Sequence, residues 1–239
     1  MLPNVCEVHR LGLVEYQAAW DLQNQMADEI ARRQRPPTLL LLEHPPTFTF
    51  GRRGQAANLL WDAAELARRG IRTYWVDRGG DVTYHGPGQL VGYPLLPLRT
   101  AILPAASGES VRIPQADYTG YLRKLEQVLV LALATLGVTA QPLAGLTGVW
   151  VKLPGQESAH KIAAIGVKVD ARGVTRHGFA LNVNPDMSHW EGIIACGLPG
   201  FGVTSLAQIL SPCPPMPEVQ LAVIQAFQRV FGMLTSVRV

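Results

Sequence analysis

The run Arg78-Gly79-Gly80-Asp81-Val82-Thr83-Tyr84-His85-Gly86-Pro87-Gly88-Gln89-Leu90 places four glycines and a proline among Arg, Asp, Thr, Tyr, His and Gln. Glycine lets a backbone take φ > 0 or press close to a ligand, and polar side chains give that ligand hydrogen bonds. The run lies between Ile71–Asp77 and Gln89–Leu95, which both read as strands. A chain with this segment must build a sheet and mount the loop on it. Two readings follow from the residues: the wall of a binding site, or a tight glycine-rich turn.

The rest of the chain supplies helices as well as strands. Cys6–Leu13 reads as a first strand, and Tyr16–Arg33 as a helix with Tyr16, Ala19, Trp20, Met26, Ala27 and Ile30 on one face. Pro36-Pro37 ends it; Thr38–Glu43 follows as a buried strand, and Thr47–Phe50 is expected to pair with that strand or continue it. Trp61–Arg69 reads as a short helix closed by Gly70, and Asp117 caps a long helix that reaches Leu136 before Gly137. Thr100–Gln115 reads as a surface insertion. Val138–Leu143, Val149–Val151, Lys161–Val169 and Gly178–Val183 read as further strands, with a hairpin loop at Lys152–His160 and a turn at Ala171–Gly173. Glu218–Met233 is an amphipathic helix. Interleaved helices and strands, several joined by short turns, point to α/β (α+β) architecture with a mixed sheet packed with helices. One domain over residues 1–239 is the expectation.

Composition narrows the function classes. A formal charge of +3 with 16% charged residues does not indicate a nucleic-acid binder. The apolar run Val128–Leu136 is shorter than the ~20 residues a membrane helix needs, so no membrane partner is expected. Cys6, Cys196 and Cys213 form no CxxC pair and no metal-ligand spacing, so neither a metal nor a disulfide scaffold is expected. No signal peptide is evident, and a cytoplasmic location is the expectation.

Chemistry has few places to reside. Cys196 precedes Gly197-Leu198-Pro199-Gly200, a setting where backbone N–H groups can face whatever the sulfur attacks. The alternative is a buried, inert thiol, which fits Cys6 on its apolar strand, while Cys213 sits among prolines. A nucleophilic thiol must lose its proton, and the candidate partners are His85, His177 and Lys161. A proton shared between a thiol and an amine prefers the amine by roughly 2.6 kcal/mol in water, which leaves a thiolate–ammonium pair. Lys161 opens an apolar strand, where its other reading is a sheet-edge residue pointing into water.

Four separated motifs then occur in order. They are Arg78–Gln89 with Tyr93-Pro94; Lys161-Ile162-Ala163-Ala164-Ile165-Gly166; His177-Gly178-Phe179-Ala180-Leu181-Asn182-Val183; and Ala195-Cys196-Gly197 with Val203-Thr204-Ser205-Leu206. Over roughly residues 5–210 the chain resembles the lipoate-protein ligase B family, the octanoyl transferases of lipoate biosynthesis, and Glu43–Arg52 adds an upstream signature. The resemblance implies the fold of biotin and lipoate protein ligase catalytic domains. It implies transfer of an octanoyl group from octanoyl-acyl carrier protein to a lysine of a lipoyl domain, with no cofactor. The acceptors would be 2-oxoacid dehydrogenase E2 subunits and the glycine cleavage H protein. Cys196 would hold the acyl group as a thioester, with Lys161 as acid/base. Arg78, Gly79, Gly80, Asp81, Val82, Thr83, Tyr84, His85, Ala164, Ile165, Gly166, Gly178, Phe179 and Ala180 would line the pocket. Asp81 stands where many relatives carry Gln and is expected to tune the pocket rather than define the reaction, and Ala195 stands where a proline is common, which bears on the approach angle of the cysteine loop. The rival readings are an ATP-dependent ligase on the same fold, a transferase acting between lipoyl domains, and a non-catalytic carrier-binding protein.

Overall fold

The computed structural model describes residues 5–98, 117–197 and 200–238. The first half contains β1 (Val5–Leu13), α1 (Tyr16–Ala31), β2 (Thr38–Glu43), β3 (Thr47–Phe50), α2 (Ala63–Arg68), β4 (Arg72–Trp75), β5 (Val82–His85) and β6 (Gln89–Leu95). After these come α3 (Tyr118–Thr135), β7 (Val149–Lys152), β8 (Ala159–Val169), β9 (Thr175–Asn182), α4 (Leu206–Ile209), α5 (Met216–Phe231) and β10 (Leu234–Arg238). The expected insertion at Thr100–Gln115 lies outside the described residues.

Seven strands form one mixed sheet in the order β10-β1-β2-β6-β9-β8-β7. β1 runs parallel to β10 and β2, and the remaining pairs are antiparallel. β2 reads Thr-Leu-Leu-Leu-Leu-Glu because both faces of the sheet are covered, so neither side of the strand meets water. Leu39 and Leu41 pack toward α3 and α5, and Leu40 and Leu42 toward α1. Asp117 caps α3 as its position predicts, accepting a hydrogen bond from Gly120 N–H at 2.7 Å. Gly232 closes α5 in the left-handed conformation.

Three sequence expectations are corrected. Thr47–Phe50 neither continues β2 nor pairs with it, since Pro45-Pro46 interrupts the chain. As β3 it is the centre of a second, three-stranded sheet ordered β4-β3-β5. The glycine-rich run is not one loop, because Val82–His85, a β-branched and aromatic stretch, forms β5 antiparallel to β3. Val138–Leu143 makes only a single bridge, Gln141 to Trp150, because Pro142 has no N–H with which to extend a ladder. The C-terminal strand β10 lies in a segment for which no strand was expected.

The two faces of α5 supply a test of the packing. Phe227 is fully buried and stacks on Phe231 with centroids 4.5 Å apart, whereas Leu221 is half exposed. Phe227→Ala is expected to cost about 3–5 kcal/mol in urea unfolding. Leu221→Ala on the same helix should stay within about 0.5 kcal/mol.

Candidate active site

The small sheet lies against β8 and β9 of the large one, and a cavity of about 460 Å³ opens between them. Its wall includes Arg78, Gly79, Gly80, Asp81, Val82, Thr83 and His85 from β5 and the loop before it. Ala164, Ile165 and Gly166 come from β8, and Gly178, Phe179 and Ala180 from β9. Of the lining expected from the sequence, Tyr84 alone turns elsewhere; its hydroxyl meets His189 Nδ1 at 2.8 Å beneath the small sheet. Tyr16, Tyr93, Arg53, Gln55, Tyr118 and the segment Gly145–Thr147 also line the cavity. These arrive from distant parts of the chain, and the sequence carries no local signal for their convergence, although Tyr93-Pro94 belongs to a motif already noted.

Gly166 and Gly178 face one another in the β8–β9 ladder. A Cβ on Gly166 would come within 3.0 Å of Gly79 O, and one on Gly178 within 2.1 Å of Gly92 O. The bare backbone therefore serves the approach of other backbone: Gly79 N–H donates to Val167 O at 2.9 Å and lays the loop on the sheet.

Lys161 lines the same cavity and is buried, with Nζ 4.7 Å from the centroid of the Trp150 ring. Its N–H donates to Gly202 O at 2.9 Å, and Thr204 N–H donates to its carbonyl at 3.0 Å. The chain returning from Cys196 is thus fastened beside Lys161 as a short parallel bridge with Val203. The backbone of Cys196 lies in a 3-10 turn, Ala195–Gly197, and Gly197 reaches the cavity wall. Asp81 braces that turn. Its carboxylate accepts from Asn58 Nδ2, Gln55 N–H and Val82 N–H, and a Cβ on Gly197 would lie 2.6 Å from Asp81 Oδ2.

Behind the wall runs a buried polar frame. Gln89 Nε2 donates to Tyr84 O and to Asn182 Oδ1, and Asn182 Nδ2 donates to Thr204 O at 2.9 Å. With both Gln89 protons engaged, its Oε1 accepts from His85 Nδ1–H at 2.8 Å, which leaves His85 Nε2 as an acceptor toward the Thr49 hydroxyl. Burial drives the His85 ring well below the usual imidazole range, so it is neutral. His44 is pushed down to about 4, again by burial. Its Nδ1–H donates to Val14 O, and its Nε2 accepts from Tyr93 OH at 2.7 Å.

At the Val167 end of the cavity, His177 takes φ +56° and gives its backbone N–H to Gln23 Oε1. Burial pulls His177 below its ordinary range, and the neutral ring donates Nε2–H to Asp77 Oδ1 at 2.8 Å. That hydrogen bond, with Lys168 and Arg176 beside it, holds the Asp77 carboxyl well below the usual range. Of the other two thiols, Cys6 is buried and pushed up to about 12, and desolvation raises Cys213. Both shifts disfavour the thiolate a nucleophile needs.

The profile of the lipoyl protein ligase A/B catalytic domain matches residues 15–228, and the chain belongs to that family. The octanoyltransferase of Chloroflexus aurantiacus is 46% identical over 226 residues, covering 95% of this chain and 94% of its own. That of Gloeobacter violaceus is 46% identical over 229 residues, covering 95% and 91%. The chain is accordingly an acyltransferase. Its fold resembles a bi-partite lipoate protein ligase of Thermoplasma acidophilum (TM-score 0.68, 19% identity, 98% and 88% covered). It also resembles a lipoate-protein ligase A bound with ATP (TM-score 0.69, 18% identity, 98% and 89% covered).

Asp77 yields a prediction with a definite sign. A carboxyl held low in the folded state contributes stability above its unfolded value of about 3.9, and that contribution is lost as pH falls toward the folded value. Asp77→Asn should lower unfolding stability at pH 7 by ~1–2 kcal/mol. The gap from the natural sequence should shrink as urea titrations move below about pH 4.

Proposed function

We propose that the chain transfers an octanoyl group from octanoyl-acyl carrier protein to a lysine of a lipoyl domain, through a thioester on Cys196 with Lys161 as acid/base. The observation that carries this reading is the fastening of the segment after Cys196 to the backbone of Lys161, with Gly197 and Lys161 on one cavity wall. The Cys196 thiolate attacks the carrier's thioester carbonyl, with backbone N–H groups beside the cavity holding the oxyanion. The new S–C bond forms, the bond to the phosphopantetheine sulfur breaks, and the departing thiolate takes a proton from the Lys161 ammonium. An incoming lysine amine then attacks the acyl-Cys196 carbonyl. As the C–N bond forms and the C–S bond breaks, the amine proton passes to Lys161, which regenerates the thiolate–ammonium pair.

The remaining cavity residues bind the acyl chain. Burial is worth about 0.8 kcal/mol per CH₂, so a closed wall distinguishes chain lengths. The acceptors proposed are lipoyl domains of 2-oxoacid dehydrogenase E2 subunits and the glycine cleavage H protein. In support, the Thermoplasma ligase is described together with its E2 lipoyl domain. Among the described residues no helix is long and apolar enough to cross a membrane. The cytoplasm is the compartment proposed.

Intact-protein mass spectrometry after mixing with octanoyl-acyl carrier protein tests the reading. A gain of one octanoyl group is expected, discharged by an apo lipoyl domain and absent in Cys196→Ala. Lys161→Ala should slow turnover about 10²–10⁴-fold. Full transfer by Cys196→Ala, or incorporation of free octanoate that depends on ATP and not on Cys196, would overturn it.

A further inference from the structure

Lys161 reaches the cavity on a buried side chain, and the residues that its stem and ammonium meet set where it comes to rest. Glu126 Oε1 accepts from Gly148 N–H at 3.2 Å, which anchors the segment that meets the lysine stem. Gly148, held there at φ +120°, leaves room for the lysine stem. A Cβ on it would lie 2.7 Å from Ala163 O and 3.4 Å from Lys161 Cε. The stem is thus guided along a bare Cα, and the ammonium comes to rest over the face of Trp150, 4.7 Å from the ring centroid.

Several features show Trp150 to be placed for that face. The β7–β8 register slips between Val149 and Trp150, and the slip sets Trp150 directly across from Lys161. Backbone hydrogen bonds exchanged with Gln141, at 2.8 and 2.9 Å, hold it from the other side. The indole is fully buried, yet its Nε1–H has no partner among the described residues. A phenyl ring would fill such a site without an orphaned donor. An indole adds the aromatic face most attractive to a cation. Its ring also packs edge-on against Phe201, 5.2 Å between centroids, in the segment that returns from Cys196.

We propose that Trp150 is a positioning residue for Lys161: its indole face helps station the ammonium, and its contact with Phe201 sets that station beside the segment that follows Cys196 in the chain. This rests on the Cys196–Lys161 reading above. Trp150 is not among the residues that line the cavity, so it acts through Lys161 and not by touching substrate.

The test follows the two half-reactions separately, by octanoyl loading of the enzyme and its discharge to an apo lipoyl domain. Trp150→Leu should slow both by about tenfold, the factor expected of one partly desolvated cation–π contact, with KM for both substrates unchanged. Trp150→Phe, which keeps a weaker face, should recover much of the loss. Tryptophan of increasing fluorine content, incorporated into the natural sequence, should lower the rates stepwise at nearly constant shape. The same labels in Trp150→Phe should leave the rates flat, which separates position 150 from the other tryptophans. This series decides the matter even where Trp150→Leu does not fold. Unchanged rates in a folded Trp150→Leu, or equal fluorine dependence in Trp150→Phe, would overturn the positioning role. Cys196→Ala, assayed alongside, distinguishes the two failures: if it still transfers the acyl group, the reading beneath falls instead.

Discussion

Two backbone hydrogen bonds, from Lys161 N–H to Gly202 O and from Thr204 N–H to Lys161 O, hold the segment after Cys196 against the start of β8, and the proposed acyl-transfer site depends on them. They turn a surface return into an extra parallel bridge at the start of β8. The bonds are local, but their geometry is set from farther away. Asn182 on β9 holds Thr204 O, and Gln89 on β6 holds Asn182. Three neighbouring strands, two of them through side-chain amides, therefore fix the place of Gly202–Thr204 beside Lys161. Because both Gln89 protons are engaged and Asn182 is shared between Gln89 and Thr204, displacing one member would strand the next.

The second constraint is the thinness of the layer between loop and sheet. A Cβ on Gly166 would come within 3.0 Å of Gly79 O, and Gly79 N–H donates to Val167 O, so the glycine-rich loop rides directly on β8. Close approach brings Arg78 into the wall, where Nη2 donates to Thr49 O and to the Thr49 hydroxyl. The small sheet is thereby tied to the loop that rests on β8, and the cavity becomes a space between two sheets rather than a cleft in a loop. A site on rigid elements holds reacting groups within the tolerance that catalysis requires.

Much of this was legible in the sequence. The alternation of helical and extended patterns gave the mixed sheet, and Asp117 and Gly137 marked the ends of α3 because caps act through their nearest backbone groups. The motif residues gave most of the cavity wall. Non-local pairing was beyond reach: Thr47–Phe50 has the same pattern whether it extends β2 or founds a second sheet, and only its partners β4 and β5 decide. Tyr16 reads as one more apolar position on α1, yet it is fully buried at the cavity, stacked on His85 with centroids 5.8 Å apart. Trp150 likewise reads as a core aromatic, and the slip that sets it opposite Lys161 leaves no trace in composition.

Several breaches of ordinary folding rules lie on the cavity wall or just behind it. Lys161 is buried, His177 has a left-handed backbone, and the Thr83 hydroxyl and Trp150 indole are buried donors without partners among the described residues. Arg33, the other non-glycine residue at positive φ among those described, sits instead just past the end of α1, where helices commonly unwind. Each breach costs stability, and the uninterrupted apolar core of β2 with α1, α3 and α5 offsets it. Orphaned polar atoms at Arg10, Gln23 and Trp190 lie outside the cavity lining, so a breach marks this site only where, as at Lys161, His177 and Thr83, the residue also lines the space.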